Sequence, residues 1–267
     1  MVLIYITLVM LTSVLFCFIL YNFPWISRYW SPDIEKFVVK KGGKIALVSD
    51  VHIGADSLDI DWIRIIGKTV EKLSIDFLIV VGDLVNKRLY IDINYLEKFA
   101  RVVTNIMDLR NTVVLYVPSN SAHDLALYSQ KKGDIRFRFL DRNVEFIYTV
   151  HMLRIDFEEC SESIYVTHGD YISRNGVLSY LLDKVGRKMF KKLFTGVIGR
   201  KILDLDNRSW IVVGHSHVSY LDRSYRAIGL GCWIKRYYAP RESSIAIASC
   251  RNKSLDIRFI SLDKRSY

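Results

Sequence analysis

Proline and glycine are scarce in this 267-residue chain, at 4 and 14 residues. That scarcity excludes a collagen-like repeat and a Pro/Gly-rich low-complexity chain. With 51% hydrophobic residues, a disordered chain is excluded as well. Cysteine is also sparse. Cys17, Cys160, Cys232 and Cys250 are too few and too scattered for a disulfide framework, and no CxxC pair points to structural zinc. A reducing compartment is the expectation. Acidic residues are outnumbered, 28 against 38 Lys and Arg, leaving a net charge of +10. No internal repeat is visible, and the length suits one large domain with ample core.

Charge is missing altogether from residues 1–27; the first charged side chain is Arg28. Within 1–22 only Thr7, Thr12, Ser13 and Asn22 fall outside the hydrophobic set. Such a run is long enough for a bilayer-spanning helix, which needs about 20 apolar residues. Tyr21, Trp25, Tyr29 and Trp30 follow where an interfacial aromatic belt would sit. A cleaved signal peptide would need a basic start and a small-x-small site, and neither is present. The expectation is a transmembrane anchor over 1–27, a juxtamembrane linker over 28–43 and one domain over 44–267. Arg28, Lys36, Lys40, Lys41 and Lys44 all follow the apolar run, so the positive-inside rule makes this a single-pass membrane protein with a cytoplasmic domain.

In the rest of the chain, apolar runs alternate with helical stretches. Lys44–Asp50, Phe77–Asp83 and Thr112–Pro118 read as buried strands that end in polar residues or proline. Residues 57–73 and 92–109 between them carry helical spacing. This β-α-β-α-β start predicts a layered α/β fold with its chemistry at the C-terminal ends of strands. The second half is richer in strands: Val144–Phe157, Ser163–Thr167, Trp210–Gly214, Tyr225–Gly229, Ser243–Ser249 and Leu255–Ser261. A helical, basic insert over 174–205 interrupts them.

Five of the six histidines fall at predicted strand ends, beside Asp, Asn or Gly. The clusters are Asp50-Val51-His52, Gly82-Asp83, Asn120 with His123-Asp124, His168-Gly169-Asp170 and Gly214-His215-Ser216-His217; His151 stands apart. Imidazoles and carboxylates together suit Mn, Fe or Zn. Two such ions sharing one carboxylate can activate water and neutralise a phosphoryl transition state. Asp83, after a buried apolar run, is the natural bridge. Gly82 and Gly214 would let the chain turn sharply from strand into ligand loop.

In that order the five motifs resemble the calcineurin-like metallophosphoesterase superfamily over about residues 44–235. The resemblance implies a four-layer α/β/β/α sandwich around two divalent ions, with Mn favoured. It implies that Asp50, His52, Asp83 and His217 hold the first ion and Asp83, Asn120, His168 and His215 the second. A hydroxide between the ions would attack phosphorus, with Asp83 bridging and His123 stabilising the transition state or protonating the leaving oxygen. One motif departs from the pattern: Ser121 and Ala122 separate Asn120 from His123, and Ser119 stands in place of glycine. Either the loop bulges and still delivers His123, or Asn120 serves as a ligand alone.

His168-Gly169-Asp170 and Gly229-Leu230-Gly231-Cys232-Trp233 are similar to the branch containing UDP-2,3-diacylglucosamine pyrophosphatases. That branch carries a helical lid over a lipid-bearing substrate. Here Lys184, Arg187, Lys188, Lys191, Lys192, Arg200 and Lys201 line the insert with no acidic residue among them over 184–201. This pattern fits an amphipathic helix on an anionic membrane lipid surface or over a lipid substrate, and equally a solvated basic helix on the core. Arg174 and Arg223 follow two metal motifs and are candidates for substrate phosphate. The leading expectation is a membrane-anchored two-metal phosphohydrolase acting on a phosphoester or pyrophosphate bond in a lipid- or nucleotide-linked substrate. The alternatives are a nuclease or general phosphodiesterase, and a silent metal-binding scaffold. Basic residues gather beside the anchor and in the insert, which suits a membrane better than nucleic acid.

Overall fold

The computed structural model describes residues 2–23, 33–127 and 135–262. Helix α1 spans Val2–Asn22, and strands β1 (Glu35–Val39) and β2 (Lys44–Ser49) lead to α2 (Ile60–Lys72). Next come β3 (Phe77–Val81), β4 (Leu89–Ile91), α3 (Ile93–Ile106), β5 (Thr112–Val117) and β6 (Leu125–Leu127). They are followed by β7 (Ile135–Phe139), β8 (Val144–Tyr148), β9 (Met152–Phe157) and β10 (Ser163–Thr167). The insert holds α4 (Gly176–Val185), a π-helical turn (Gly186–Phe190) and α5 (Phe194–Ile202). Strands β11 (Trp210–Val213), β12 (Ser219–Asp222), β13 (Ala227–Cys232), β14 (Glu242–Arg251) and β15 (Ser254–Leu262) complete the fold.

Strand periodicity explains the layering. On β2, Ile45 and Leu47 face one way and Ala46 and Val48 the other, as alternation across a strand dictates. Ile45 and Leu47 join Ile79, Leu115, Ile155, Val166 and Val212 in a core between two halves of the sheet. Ala46 and Val48 pack with Ile63, Ile66, Leu96 and Val103, from α2 and α3, in a second core. On the far side, Ile211 and Val213 pack against Ile172 and Leu193, with Ile198 and Ile202 of α5 alongside. The result is helix, sheet, sheet, helix.

Among the described residues the strand order is β1-β9-β10-β11-β13-β14-β2-β3-β5-β8-β7, with β12 on β13 and β15 on β14. The two halves join at β13, which pairs with β11 through Ala227–Gly229 and with β14 through Gly231 and Cys232. Strands β2, β3 and β5 run parallel, and so do β10 and β11. Their C-terminal ends therefore open at the same edge of each half.

Several expectations are corrected. Among the described residues no helix is long and apolar enough to cross a membrane, which overturns the single-pass membrane localisation with a cytoplasmic domain. The end of α1 is instead packed on the domain. Asn22 is buried, its carbonyl accepts from the backbone N–H of Arg174 (2.9 Å), and Tyr21 lies under the Arg174 guanidinium at 5.3 Å. Trp25, Tyr29 and Trp30, the rest of the expected aromatic belt, lie outside the described residues. Within the stretch read as a linker, Glu35–Val39 is a strand paired in parallel with β9.

The run Val144–Phe157, read as one strand, is two. The chain crosses between sheet halves at Thr149–His151, so β8 pairs with β5 while β9 pairs with β10. Nor are all cysteines free: Cys160 and Cys250 form a disulfide (Cα–Cα 5.9 Å) that ties the β9–β10 turn to β14. Finally, the insert is not one amphipathic helix. It breaks at Lys191, whose φ of 56° is left-handed, and Asp183 caps the next helix by accepting from the Thr195 N–H (2.8 Å) and hydroxyl (2.6 Å). Much of its positive charge is used internally. Arg187 makes a two-pronged pair with Glu242 (2.7 and 2.9 Å), and Lys192 donates to the Tyr225 hydroxyl (2.7 Å).

Candidate metal centre

Each apolar run ends at the same place. Asp50 follows β2, Gly82-Asp83 follows β3, His168 follows β10 and Gly214-His215 follows β11. A strand can deliver a side chain inward at its end only if the backbone turns at once. Asp50, His52, Asp83, His215 and His217 all do so in the left-handed region, at φ of 53°, 52°, 44°, 62° and 55°. For residues other than glycine this conformation costs about 1–2 kcal/mol each. Five such residues within one cluster mark a place where geometry is held against local preference.

Backbone bonds hold the turns. The His52 N–H donates to the Asp83 carbonyl (3.0 Å), the His215 N–H to the Asp50 carboxylate (3.0 Å), and the Trp233 N–H to the Asp50 carbonyl (3.1 Å). The two glycines serve differently. Gly82 adopts φ of +60°, and a Cβ there would lie 2.4 Å from the His168 ring. Gly214 is needed for space alone, since a Cβ would meet Ser49 Oγ at 1.9 Å.

The side chains converge in two groups, Asp50–His52–Asp83–His217 and Asp83–His168–His215, with ligand atoms within 4.8 Å of one another in each. Asp83 belongs to both. Nε2 of His217 lies 3.2 Å from Asp50 Oδ1, and Nε2 of His168 lies 3.4 Å from Asp50 and 3.6 Å from Asp83. Cys232 joins His52 and His217 in a third grouping that the sequence reading did not include.

Burial governs the protonation of this cluster. It pushes the His52 pKa down to about 3, with further lowering by Arg236, and lowers His215 to about 4, with help from His168. Burial alone would raise the Asp50 carboxyl, but hydrogen bonds and charge from His168 and His217 hold it well below its ordinary value. Neighbouring acidic groups reverse the effect of burial on two imidazoles. His168 is raised well above its ordinary value by Asp83, Asp170 and Asp50, and His217 is raised to about 10 by Cys232 and Asp50.

The donor set fits divalent ions. Oxygen and imidazole nitrogen suit Mn, Fe and Zn. Among the described residues His215 Nε2, buried within the second group, has no hydrogen-bond partner, a costly state that a ligated ion relieves. Asp170, 3.4 Å from His168 Nδ1, is placed to orient that ring, as carboxylates behind metal-bound histidines do.

Not every expected residue comes to the centre. Asn120 turns away: its amide donates to the Tyr171 hydroxyl (2.7 Å) and its backbone N–H to Asp170 (2.7 Å). The two extra loop residues account for this, because they place the Ser121 hydroxyl, together with that of Ser119 (2.9 Å), on Asp83 Oδ1. The bulged loop still brings His123 close, its ring centroid 5.3 Å from that of His52 and its Nδ1 2.7 Å from the Asn86 carbonyl. Asp124, buried behind them, accepts from the N–H groups of Asp83, Ser119 and Leu125 and fixes the loop.

A cavity of about 350 Å³ lies beside the cluster, lined in part by His123, Arg174, Arg236, Tyr237 and Tyr238. Arg223 is not brought there; its guanidinium donates to the Ile257 carbonyl (3.4 Å). Sequence reasoning missed Arg236, whose Nη2 is 2.9 Å from His52 Nδ1. Its signal was available only as a basic residue shortly after the Gly-Cys-Trp motif.

The chain matches no family model and no curated protein. Among solved structures it is similar to Vps29 of Chaetomium thermophilum, at 13% identity over 84% of this chain and 93% of that one, with a TM-score of 0.44. It is also similar to an archaeal phosphodiesterase, at 13% identity over 82% and 99%, TM-score 0.38. GAP50 of Plasmodium, described as the anchor in the inner membrane complex, matches at 9% identity over 82% and 84%, TM-score 0.42. Likenesses this remote do not decide what the centre does, and the chemistry of its residues must.

Proposed function

We propose that this chain is a metal-dependent phosphoesterase that hydrolyses a phosphoester or pyrophosphate bond at the Asp83 centre. One observation supports the reading most: two groups of buried ligands share a single carboxylate. A pair of divalent ions held there would supply Lewis acidity toward a phosphoryl group and toward water. Asp50, His52 and His217 would hold one ion and His168 and His215 the other, with Asp83 common to both. Asn120 would join them only by releasing Tyr171.

His123 has the position of a proton donor. Its Nδ1 faces a carbonyl, which can only accept, so Nδ1 carries a proton and Nε2 is the exchangeable site. A protonated Nε2 in the cavity wall would hand its proton to the departing oxygen. Arg174 and Arg236, in the same wall, would neutralise phosphate charge and orient the substrate.

A second reading is a metal-binding protein without turnover. It is favoured by the Ser119 and Ser121 hydroxyls on Asp83 and by the departure of Asn120. Hydrolysis of nitrophenyl phosphate and bis-nitrophenyl phosphate, with Mn added or chelated, separates the two. The phosphoesterase reading expects Mn-dependent release that Asp83→Ala abolishes. It also expects His123→Ala to lower kcat by about 10²–10⁴-fold with metal still bound. Bound metal without release on either ester, or release untouched by Asp83→Ala, would contradict it.

A further inference from the structure

The last residue of β13 brings sulfur to the centre. Cys232 is a free cysteine, fully buried, yet it belongs to none of the apolar cores of the described residues. Alternation along β13 would set it beside Leu230, in the central core, but Gly231 between them is left-handed at φ of 73°. The strand end is pinned. The Trp233 N–H donates to the Asp50 carbonyl (3.1 Å), the Ser243 hydroxyl to the Cys232 carbonyl (3.4 Å), and the Cys232 thiol to the Asp50 carbonyl (3.5 Å). The sulfur lies within 4.8 Å of a ring nitrogen of His52 and of one of His217, both of them buried.

A buried free cysteine commonly serves as a small apolar side chain. Here its surroundings are imidazole and carboxylate, among which a thiolate is a strong ligand for soft and borderline ions. The same two imidazoles therefore face two kinds of partner, the carboxylates of Asp50 and Asp83 and the sulfur of Cys232. Oxygen donors suit Mn, whereas thiolate with imidazole suits Zn. Among the described residues the other group, Asp83–His168–His215, holds no sulfur. The two ion positions are thus unlike in chemistry, although they share a carboxylate.

We propose that Cys232 is a ligand of the ion held by His52 and His217, and that this position selects Zn over Mn while the His168–His215 position takes Mn. Binding of Zn sends the thiol proton to solvent and leaves the sulfur on the metal as thiolate. Mn, a poorer partner for sulfur, is held there by oxygen and imidazole alone. The proposal rests on the metal centre of the phosphoesterase reading but not on turnover.

Titration of the metal-free, full-length protein with Co, a coloured stand-in for Zn, tests it. Bound Co is expected to give a near-ultraviolet thiolate-to-metal charge-transfer band beside its visible bands. Cys232→Ser should keep the visible bands and lose the charge-transfer band, and Cys17→Ser should keep both. X-ray absorption of the unaltered protein holding one Zn should show a sulfur neighbour at about 2.3 Å. Zn affinity should fall in Cys232→Ser by about 10–100-fold or more, since even residues behind the ligands are worth that much, with Mn affinity unchanged. Bound Co without the charge-transfer band, a band that survives Cys232→Ser, a Zn with only oxygen and nitrogen neighbours, or equal loss of Zn and Mn affinity would each overturn the proposal and leave the phosphoesterase reading intact. Failure to bind Co, Zn or Mn at all would remove both.

Discussion

Gly82→Ala probes the centre through a single methyl group. The Gly82 N–H is fixed to the Val117 carbonyl (2.8 Å), so the backbone has little room to yield. The added Cβ would lie 2.4 Å from Cγ and Cδ2 of His168 and 2.7 Å from its Cβ. Comfortable carbon–carbon contact is about 3.5–4.0 Å, so the ring must retreat by roughly 1 Å. Alanine at the left-handed φ of +60° adds about 1–2 kcal/mol, and the overpacking about 1–3 kcal/mol. Together these destabilise by about 2–5 kcal/mol, which lowers Tm by roughly 5–15 °C in a domain of this size. His168 belongs to one ligand group only, so the variant should lose one ion and keep the other. Elemental analysis after dialysis should give two Mn per unaltered chain and one per variant. His168→Gly in the Gly82→Ala background should recover most of the Tm without recovering the second ion. Two tightly held ions in Gly82→Ala, with Tm unchanged, would refute the placement of His168.

The same geometry yields two further expectations. His168 and His217 are raised above their ordinary values in the metal-free protein, so both should carry protons at pH 7 and release about two when metal binds. Calorimetry in buffers of different ionisation enthalpy counts them, and release of none would contradict the assignment. Raised histidines stabilise the fold fully below about pH 6.5, and that contribution fades as pH climbs through the folded value, about 10 for His217. Metal-free protein should therefore unfold at lower denaturant at pH 9 than at pH 6, whereas metal-loaded protein should show a flatter profile. The Cys160–Cys250 bridge closes a long loop, with 90 residues of sequence separation, on β14, where Ser249, next to Cys250, pairs with Lys44 of β2. Replacing both cysteines by serine should cost about 2–5 kcal/mol in urea unfolding and leave metal stoichiometry at two, and an unchanged midpoint would contradict it.

Much of this architecture was legible because the relevant physics is local. Strands β2, β3 and β5 are continuous apolar runs, and the first residues after them, Asp50, Gly82-Asp83 and Pro118-Ser119, break that pattern where the strands end. What could not be read depended on the path of the chain through space. Thr149-Val150-His151 continues the strand composition, so nothing in it announces the crossing from β8 to β9. The basic insert looked free for an anionic surface because its partner, Glu242, lies 55 residues beyond Arg187. Cys160 and Cys250 meet only because β14 runs back along β2. Asn120 fitted the expected ligand order, yet two inserted residues were enough to put Ser121 where its amide was expected. Arg236 had no motif to mark it, and only the turn Arg236–Ala239 carries it to His52.

The central claim is that Asp83 is shared by two ions. Electron paramagnetic resonance of the Mn-loaded protein measures this directly, because ions about 3.5–4 Å apart are magnetically coupled. The account predicts an exchange-coupled spectrum at two Mn per chain that collapses to uncoupled Mn, or none, in Asp83→Ala. Only uncoupled, single-ion signals from the unaltered protein at saturating Mn would contradict it.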